Sequence, residues 1–183
     1  MPHIDLPPLP GIAGLLVAFP DTAGALNGLA EALLRGPSPL TPAQRETIAA
    51  YVSRRNDCDF CAETHGAVAR HLASTHPHST HPHSAEPHGT GPDRAGAELM
   101  DALLALADKV RVGGREVRPG DVERARAAGA DDRMVHDTVL IAAAFCMFNR
   151  YVDGLGTLTP AEPAHYERHA GFLAGNGYLE SPR

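Results

Sequence analysis

Cys58-Asp59-Phe60-Cys61-Ala62-Glu63-Thr64-His65 decides how this chain folds and what it carries. In a helix the first cysteine, the second and the histidine occupy positions i, i+3 and i+7. These share one face at 3.6 residues per turn. Two thiols and a titratable base on one face equip a helix for thiol–disulfide chemistry. Upstream, Thr41-Pro42-Ala43-Gln44 has the form of a helix start: Thr41 as N-cap, Pro42 at the first helical position, Gln44 closing a capping box. That helix should run to about Arg55, with Ile48, Tyr51 and Val52 on one side and Glu46, Ala49, Ala50 and Ser53 on another. Asn56-Asp57 reads as a turn. Asp57 is the candidate N-cap of the next helix, which puts Cys58 at its first position and Cys61 one turn in. Free N–H groups and the helix dipole stabilise a thiolate there.

If the two helices form an antiparallel hairpin, positions equidistant from the turn meet. Glu46 lies about ten residues before the turn and His65 about eight after it, so at about 1.5 Å per residue their heights differ by roughly 3 Å. A carboxylate that orients a histidine, which in turn activates a thiol, is the orienter–base–nucleophile arrangement of covalent catalysis. Cys58, Cys61 and His65 also make a possible zinc set, with a fourth ligand from His71 or the histidine repeats.

The rest of the chain reads as helices too. Residues 1–10, with Pro7, Pro8 and Pro10, form an extended arm, and Gly11 to Phe19 is a short apolar segment. After Pro20-Asp21, Leu26, Leu29, Leu33 and Leu34 recur at helical spacing up to Gly36. Beyond the thiol helix, residues 74–92 repeat Ser-Thr-His-Pro-His and read as a low-complexity loop. Its His76, His78, His81 and His83 are candidate weak metal ligands. Leu99, Leu103, Leu106 and Val110 stripe one helix, which Gly113-Gly114 ends. A shorter helix runs from Pro119 to Ala128. Asp131 caps a long helix through Val135, Val139, Leu140, Ala143, Met147 and Val152. On it, Cys146 reads as a buried apolar cysteine, and Asn149, Arg150 and Asp153 as interface or salt-bridge residues. Thr159-Pro160-Ala161-Glu162 offers a second capping box for a C-terminal helix with Tyr166 and Phe172, and residues 175–183 read as a fraying tail. Nothing alternates with period two, so the expected architecture is all-α, a single domain over residues 1–183 with about six or seven helices.

Bulk properties exclude several classes. A net charge of −6 and no Lys/Arg stripe speak against nucleic acid. No apolar run reaches the roughly 18–20 residues of a membrane span. Three cysteines are too few for a secreted disulfide framework, and the N-terminus lacks the pattern of a signal peptide; both favour the cytoplasm.

Glu46, Cys58-x-x-Cys61 twelve positions on, and His65 four positions later resemble the signature of the alkylhydroperoxidase D-like (AhpD-like) branch of the carboxymuconolactone decarboxylase superfamily. The flanks agree: Leu34-Arg35-Gly36-Pro37-Ser38-Pro39-Leu40 and Phe148-Asn149-Arg150-Tyr151-Val152-Asp153-Gly154 resemble its uncharacterised peroxidase-related members. The likeness covers about residues 10–160, without the histidine-rich loop. The resemblance implies an AhpD-like helical bundle that forms homo-oligomers and a peroxidase or disulfide reductase site without metal or organic cofactor. It also implies a hydroperoxide substrate and an external dithiol or redox protein as reductant. It assigns Cys61 as nucleophile, Cys58 as the resolving thiol, and Glu46 and His65 as the proton relay. Where the best-known peroxidases of the family place a second histidine, before the nucleophile, this chain has Phe60, whose ring carries no titratable proton.

Overall fold

The capping box forms as the residues dictate. In the computed structural model, which describes residues 1–75 and 92–179, the Gln44 N–H donates to Thr41 Oγ1 (3.2 Å) and the Thr41 N–H to Gln44 Oε1 (2.8 Å). With Pro42 at the first position, both opening donors and the fixed proline φ favour the same start.

Eight α-helices are present among the described residues: α1 Ile12–Ala18, α2 Pro20–Leu34, α3 Pro42–Arg55, α4 Asp59–Thr75, α5 Pro92–Val112, α6 Pro119–Ala127, α7 Asp132–Gly154 and α8 Pro163–Asn176, with a 3-10 turn at Gly114–Glu116. The architecture is all-α, with no strand among the described residues. The count exceeds six or seven because the short segment after Gly11 is a helix of its own. The histidine repeats at His76, His78, His81 and His83 lie outside the described residues.

α3 and α4 form the central hairpin and pack on each other more extensively than any other pair; α7 and α5 back α3, and α8 covers α4. The expected stripe on α5 is core: Leu103, Leu106 and Val110 are buried, with Leu99 and Leu104 partly so. Asp131 caps α7 through the Met134 N–H (2.7 Å).

Three expectations are corrected. Asp57 is not the N-cap of α4. It sits at φ +59°, and its N–H donates to the Arg54 carbonyl (3.2 Å) while the Cys58 N–H donates to the Ser53 carbonyl (3.0 Å). This is a Schellman closure of α3, with Asp57 in the left-handed position that aspartate tolerates better than most residues. The Cys58 carbonyl accepts the first α4 bond from the Ala62 N–H (3.0 Å), so Cys58 occupies the N-cap position and Cys61 is the third helical residue. The second capping box does not form either: α8 starts at Pro163, with no side-chain cap. The segment before it is held out of the helix by the N-terminal arm, where the Gly11 N–H donates to the Leu158 carbonyl (2.8 Å) and Pro10 bridges Leu158. Finally, the chain does not fray at Gly175. α8 continues to Asn176, and Gly177 (φ +71°) turns the backbone so that the Tyr178 N–H donates to Glu31 Oε2 (2.7 Å).

Candidate functional site

The hairpin brings Glu46 and His65 together as the rise per residue requires: His65 Nδ1 lies 2.7 Å from Glu46 Oε2. The carboxylate can only accept, so Nδ1 carries the proton and Nε2 is the ring nitrogen left to exchange one. The close approach depends on small neighbours, since Ala49, Ser53 and Ala62 are fully buried between the helices. Phe145 of α7 meets the imidazole edge-on at 4.6 Å between centroids and holds the ring from its other side.

Glu46 is 0% exposed. A buried carboxylate requires donors, and two partners not singled out by the sequence supply them. Arg35 Nη1 lies 2.7 Å from Oε1, and the Tyr178 hydroxyl donates to the same oxygen at 2.6 Å. Burial pushes the Glu46 carboxyl up, but the charge and hydrogen bond of His65, the Arg35 guanidinium and the Tyr178 hydrogen bond outweigh it, so the group is held below its ordinary range. Burial first, and then the Glu46 charge, push Tyr178 well above the ordinary phenol value, which keeps its hydroxyl a donor. Arg35 is itself fixed by the carbonyls of Leu34 (2.9 Å) and Leu173 (3.1 Å), and its guanidinium stands 5.1 Å from the centre of the Tyr178 ring.

Cys58 and Cys61 are both reduced thiols, at 0% and 4% exposure, inside an apolar cluster with Leu15, Phe60, Val152 and Tyr166. Phe60 closes this cluster against the N-terminal arm, where a side chain at Gly11 (φ +52°) would enter its ring. Hydrogen bonding to Cys61, then burial, then the charge of Cys61 push the Cys58 thiol up. The Asp153 carboxyl of α7 also interacts with this thiol. It is raised by burial and by the charge of Asp59, while the Cys58 hydrogen bond opposes the rise. Asp153 helps to line a surface cleft of about 450 Å³ with Asn56, Asn149, Arg150 and Gly154. Asn149 is buried and ties α7 to the turn before Cys58. Its Nδ2 donates to Ser53 Oγ (2.9 Å), and its Oδ1 accepts from Asn56 Nδ2 (2.9 Å).

The four sequence-singled residues therefore fall into two neighbouring groups. Glu46 and His65 are bonded to each other, with Arg35 and Tyr178. Cys61 and Cys58 interact with each other, with Asp153 beside Cys58. His65 and Cys61 are one helical turn apart on α4 and share no direct hydrogen bond. No group of three or more His, Cys, Asp or Glu among the described residues is arranged to hold a metal ion, so Cys58, Cys61 and His65 do not form a zinc set with His71. Cys146 is buried, as expected, and accepts a long contact from Asn56 Nδ2 (3.5 Å). No described helix is long and apolar enough to cross a membrane.

A helical bundle with a C-x-x-C at the head of one hairpin helix and a buried Glu–His pair across that hairpin defines a thiol-bearing, all-α class of protein. Residues 20–75, which hold Glu46, both cysteines and His65, match the carboxymuconolactone decarboxylase family. The match spans about a third of the chain, and the likeness of the whole chain is one of fold. Its fold resembles an uncharacterized peroxidase-related protein from Silicibacter sp. TM1040 (TM-score 0.68, 23% identity, 91% of this chain and 94% of that one). It also resembles the alkylhydroperoxidase AhpD core of an uncharacterized peroxidase-related protein from Ralstonia eutropha JMP134 (TM-score 0.67, 26% identity, 87% of this chain and 80% of that one). Among curated proteins none matches the chain in sequence.

Proposed function

We propose that this protein is a thiol peroxidase that reduces hydroperoxides through Cys61 and Cys58. The observation that carries the reading is the buried Glu46–His65 hydrogen bond one helical turn from Cys61. The Cys61 thiolate attacks the outer oxygen of the peroxide, the O–O bond breaks, and the alkoxide takes a proton to leave as alcohol or water. Cys61 is left as a sulfenic acid. Because Cys61 and His65 are not directly bonded, the proton passes between Nε2 and the sulfur through the bound peroxide or a water seated between them. Glu46 holds the imidazole by accepting from Nδ1.

Cys58 then attacks the Cys61 sulfenic sulfur. The S–S bond forms, hydroxide leaves, and the Cys58 proton completes the water. Asp153, beside Cys58, is the group that accepts and returns that proton, a function Phe60 cannot serve. An external dithiol, in the cytoplasm, exchanges with the disulfide and restores both thiols. The exposed apolar row Leu140, Ala143 and Met147 on α7 is the surface offered to a second copy of the chain.

The test is intact-mass spectrometry during titration with cumene hydroperoxide. One equivalent should remove two hydrogens per chain and join Cys58 to Cys61, and Cys61→Ser should abolish the change. A Cys61→Ser protein that consumes peroxide at the wild-type rate would end the proposal. The presence of Phe60 favours a second reading, a thiol–disulfide oxidoreductase without peroxide turnover. It predicts rapid exchange with a small disulfide such as oxidised dithiothreitol and no mass change with peroxide.

A further inference from the structure

The geometry assigns Tyr178 as a positioning residue of the His65 relay, delivered to Glu46 from the far end of the chain by the turn at Gly177. Its hydroxyl donates to Glu46 Oε1 (2.6 Å), and the same oxygen stands 3.2 Å from His65 Nδ1, so Tyr178, Glu46 and His65 form a closed triangle. The Nδ1 proton is shared unequally between the carboxylate and the phenol oxygen. The Tyr178 ring stacks on the imidazole, 5.8 Å between centroids at 27°. With Phe145 edge-on to the imidazole, both the tilt of the ring and its rotation are fixed.

The delivery is specific. Gly177 adopts φ +71°, and a Cβ there would collide with the Glu31 carboxylate that receives the Tyr178 N–H. Arg35 reinforces the arrangement by linking Glu46 to the Leu173 carbonyl of α8. The titratable groups in contact with the imidazole are Glu46 from α3 and Tyr178 from the C-terminal segment, with Arg35 bound to the far side of Glu46 and Cys61 one turn earlier on α4. The phenol does not touch the reacting sulfur. It acts by keeping Glu46 and His65 in one orientation, so that Nε2 keeps a fixed direction.

The catalytic consequence rests on the peroxidase reading, whereas the positioning itself is testable without peroxide. Tyr178→Phe removes only the hydroxyl, Tyr178→Ala removes the ring as well, and Gly177→Ala displaces both. With protein carrying labelled histidine, the His65 Nδ1–H of the reduced wild type should give a downfield proton signal that exchanges slowly with water. Tyr178→Phe and Gly177→Ala should broaden that signal or lose it while the fold, followed by thermal melting, is retained. General acid–base assistance is worth about 100- to 10,000-fold, so a loosened relay should lower the rate of Cys61 oxidation by cumene hydroperoxide about tenfold. If Tyr178→Phe keeps the wild-type signal and rate and only Tyr178→Ala is impaired, Tyr178 is a packing residue and the assignment is overturned. If the wild type shows no peroxide-driven oxidation, the peroxidase reading fails, and the proton signal still decides the role of Tyr178.

Discussion

Replacing Glu46 with glutamine probes the hairpin at its most costly point. The carboxylate is 0% exposed and meets three partners: Arg35 and His65 at 2.7 Å and Tyr178 at 2.6 Å. Glutamine keeps the volume, but its NH2 must face either Oε2's donor or the two donors at Oε1, so at least one donor confronts another. Arg35 also loses its counter-charge. Removing one member of a buried ion pair costs about 3–5 kcal/mol, and Arg35, whose side chain is 12% exposed, can regain some water. The lower end, about 3 kcal/mol, is therefore expected. At about 2–4 °C per kcal/mol for a domain of this size, the melting temperature should fall by roughly 6–12 °C.

The sign with pH follows from the depressed Glu46 carboxyl. Its stabilisation is fully present above the unfolded glutamate value, about 4.3, and is lost as pH falls through the lower folded value. The gap between wild type and Glu46→Gln should thus be constant near neutrality and narrow as pH falls below about 4. With its orienter gone, His65 should support Cys61 oxidation about 100-fold more slowly. Calorimetric melts between pH 3 and 8 and stopped-flow oxidation by cumene hydroperoxide read both effects. An unchanged oxidation rate, or a melting difference that stays constant through the acid range, would refute the reasoning.

Two further substitutions separate the remaining claims. Asp153→Asn should leave formation of the Cys61 sulfenic acid at its wild-type rate and slow closure of the disulfide about tenfold, read by quenched-flow alkylation. Equal closure rates would remove Asp153 from the chemistry. Asp57→Gly should raise stability by up to about 1 kcal/mol, because glycine adopts the left-handed conformation without the Cβ conflict; were Asp57 an N-cap, the change would instead cost a few tenths. Denaturant melts distinguish the signs.

The hairpin was legible because its signals are local. A capping box, a turn and a fixed rise per residue suffice to bring Glu46 to His65 without knowledge of any other helix. Asp57 is ambiguous in sequence, because aspartate serves both as N-cap and as left-handed C′ residue. Only the 6→1 bond from the Cys58 N–H to the Ser53 carbonyl separates the two. Thr159-Pro160-Ala161-Glu162 has the sequence of a capping box, yet pairing of Leu158 with Gly11 overrides it. Tyr178 and His65 are 113 residues apart, and such a contact leaves no periodic trace. The available signal was Gly177, a helix-ending glycine that turns the chain back instead of releasing it. Asp153 sits at the end of a long apolar helix, where position alone reads as an interface or a salt bridge.

The central claim, that Cys61 is the peroxide-reactive sulfur and Cys58 its resolving partner, is tested most directly in the Cys58→Ser protein treated with one equivalent of cumene hydroperoxide in the presence of dimedone. The account predicts a single dimedone adduct on Cys61, identified by peptide mass, and no disulfide. An adduct on Cys146, or a Cys61 that stays reduced while peroxide is consumed, would contradict it.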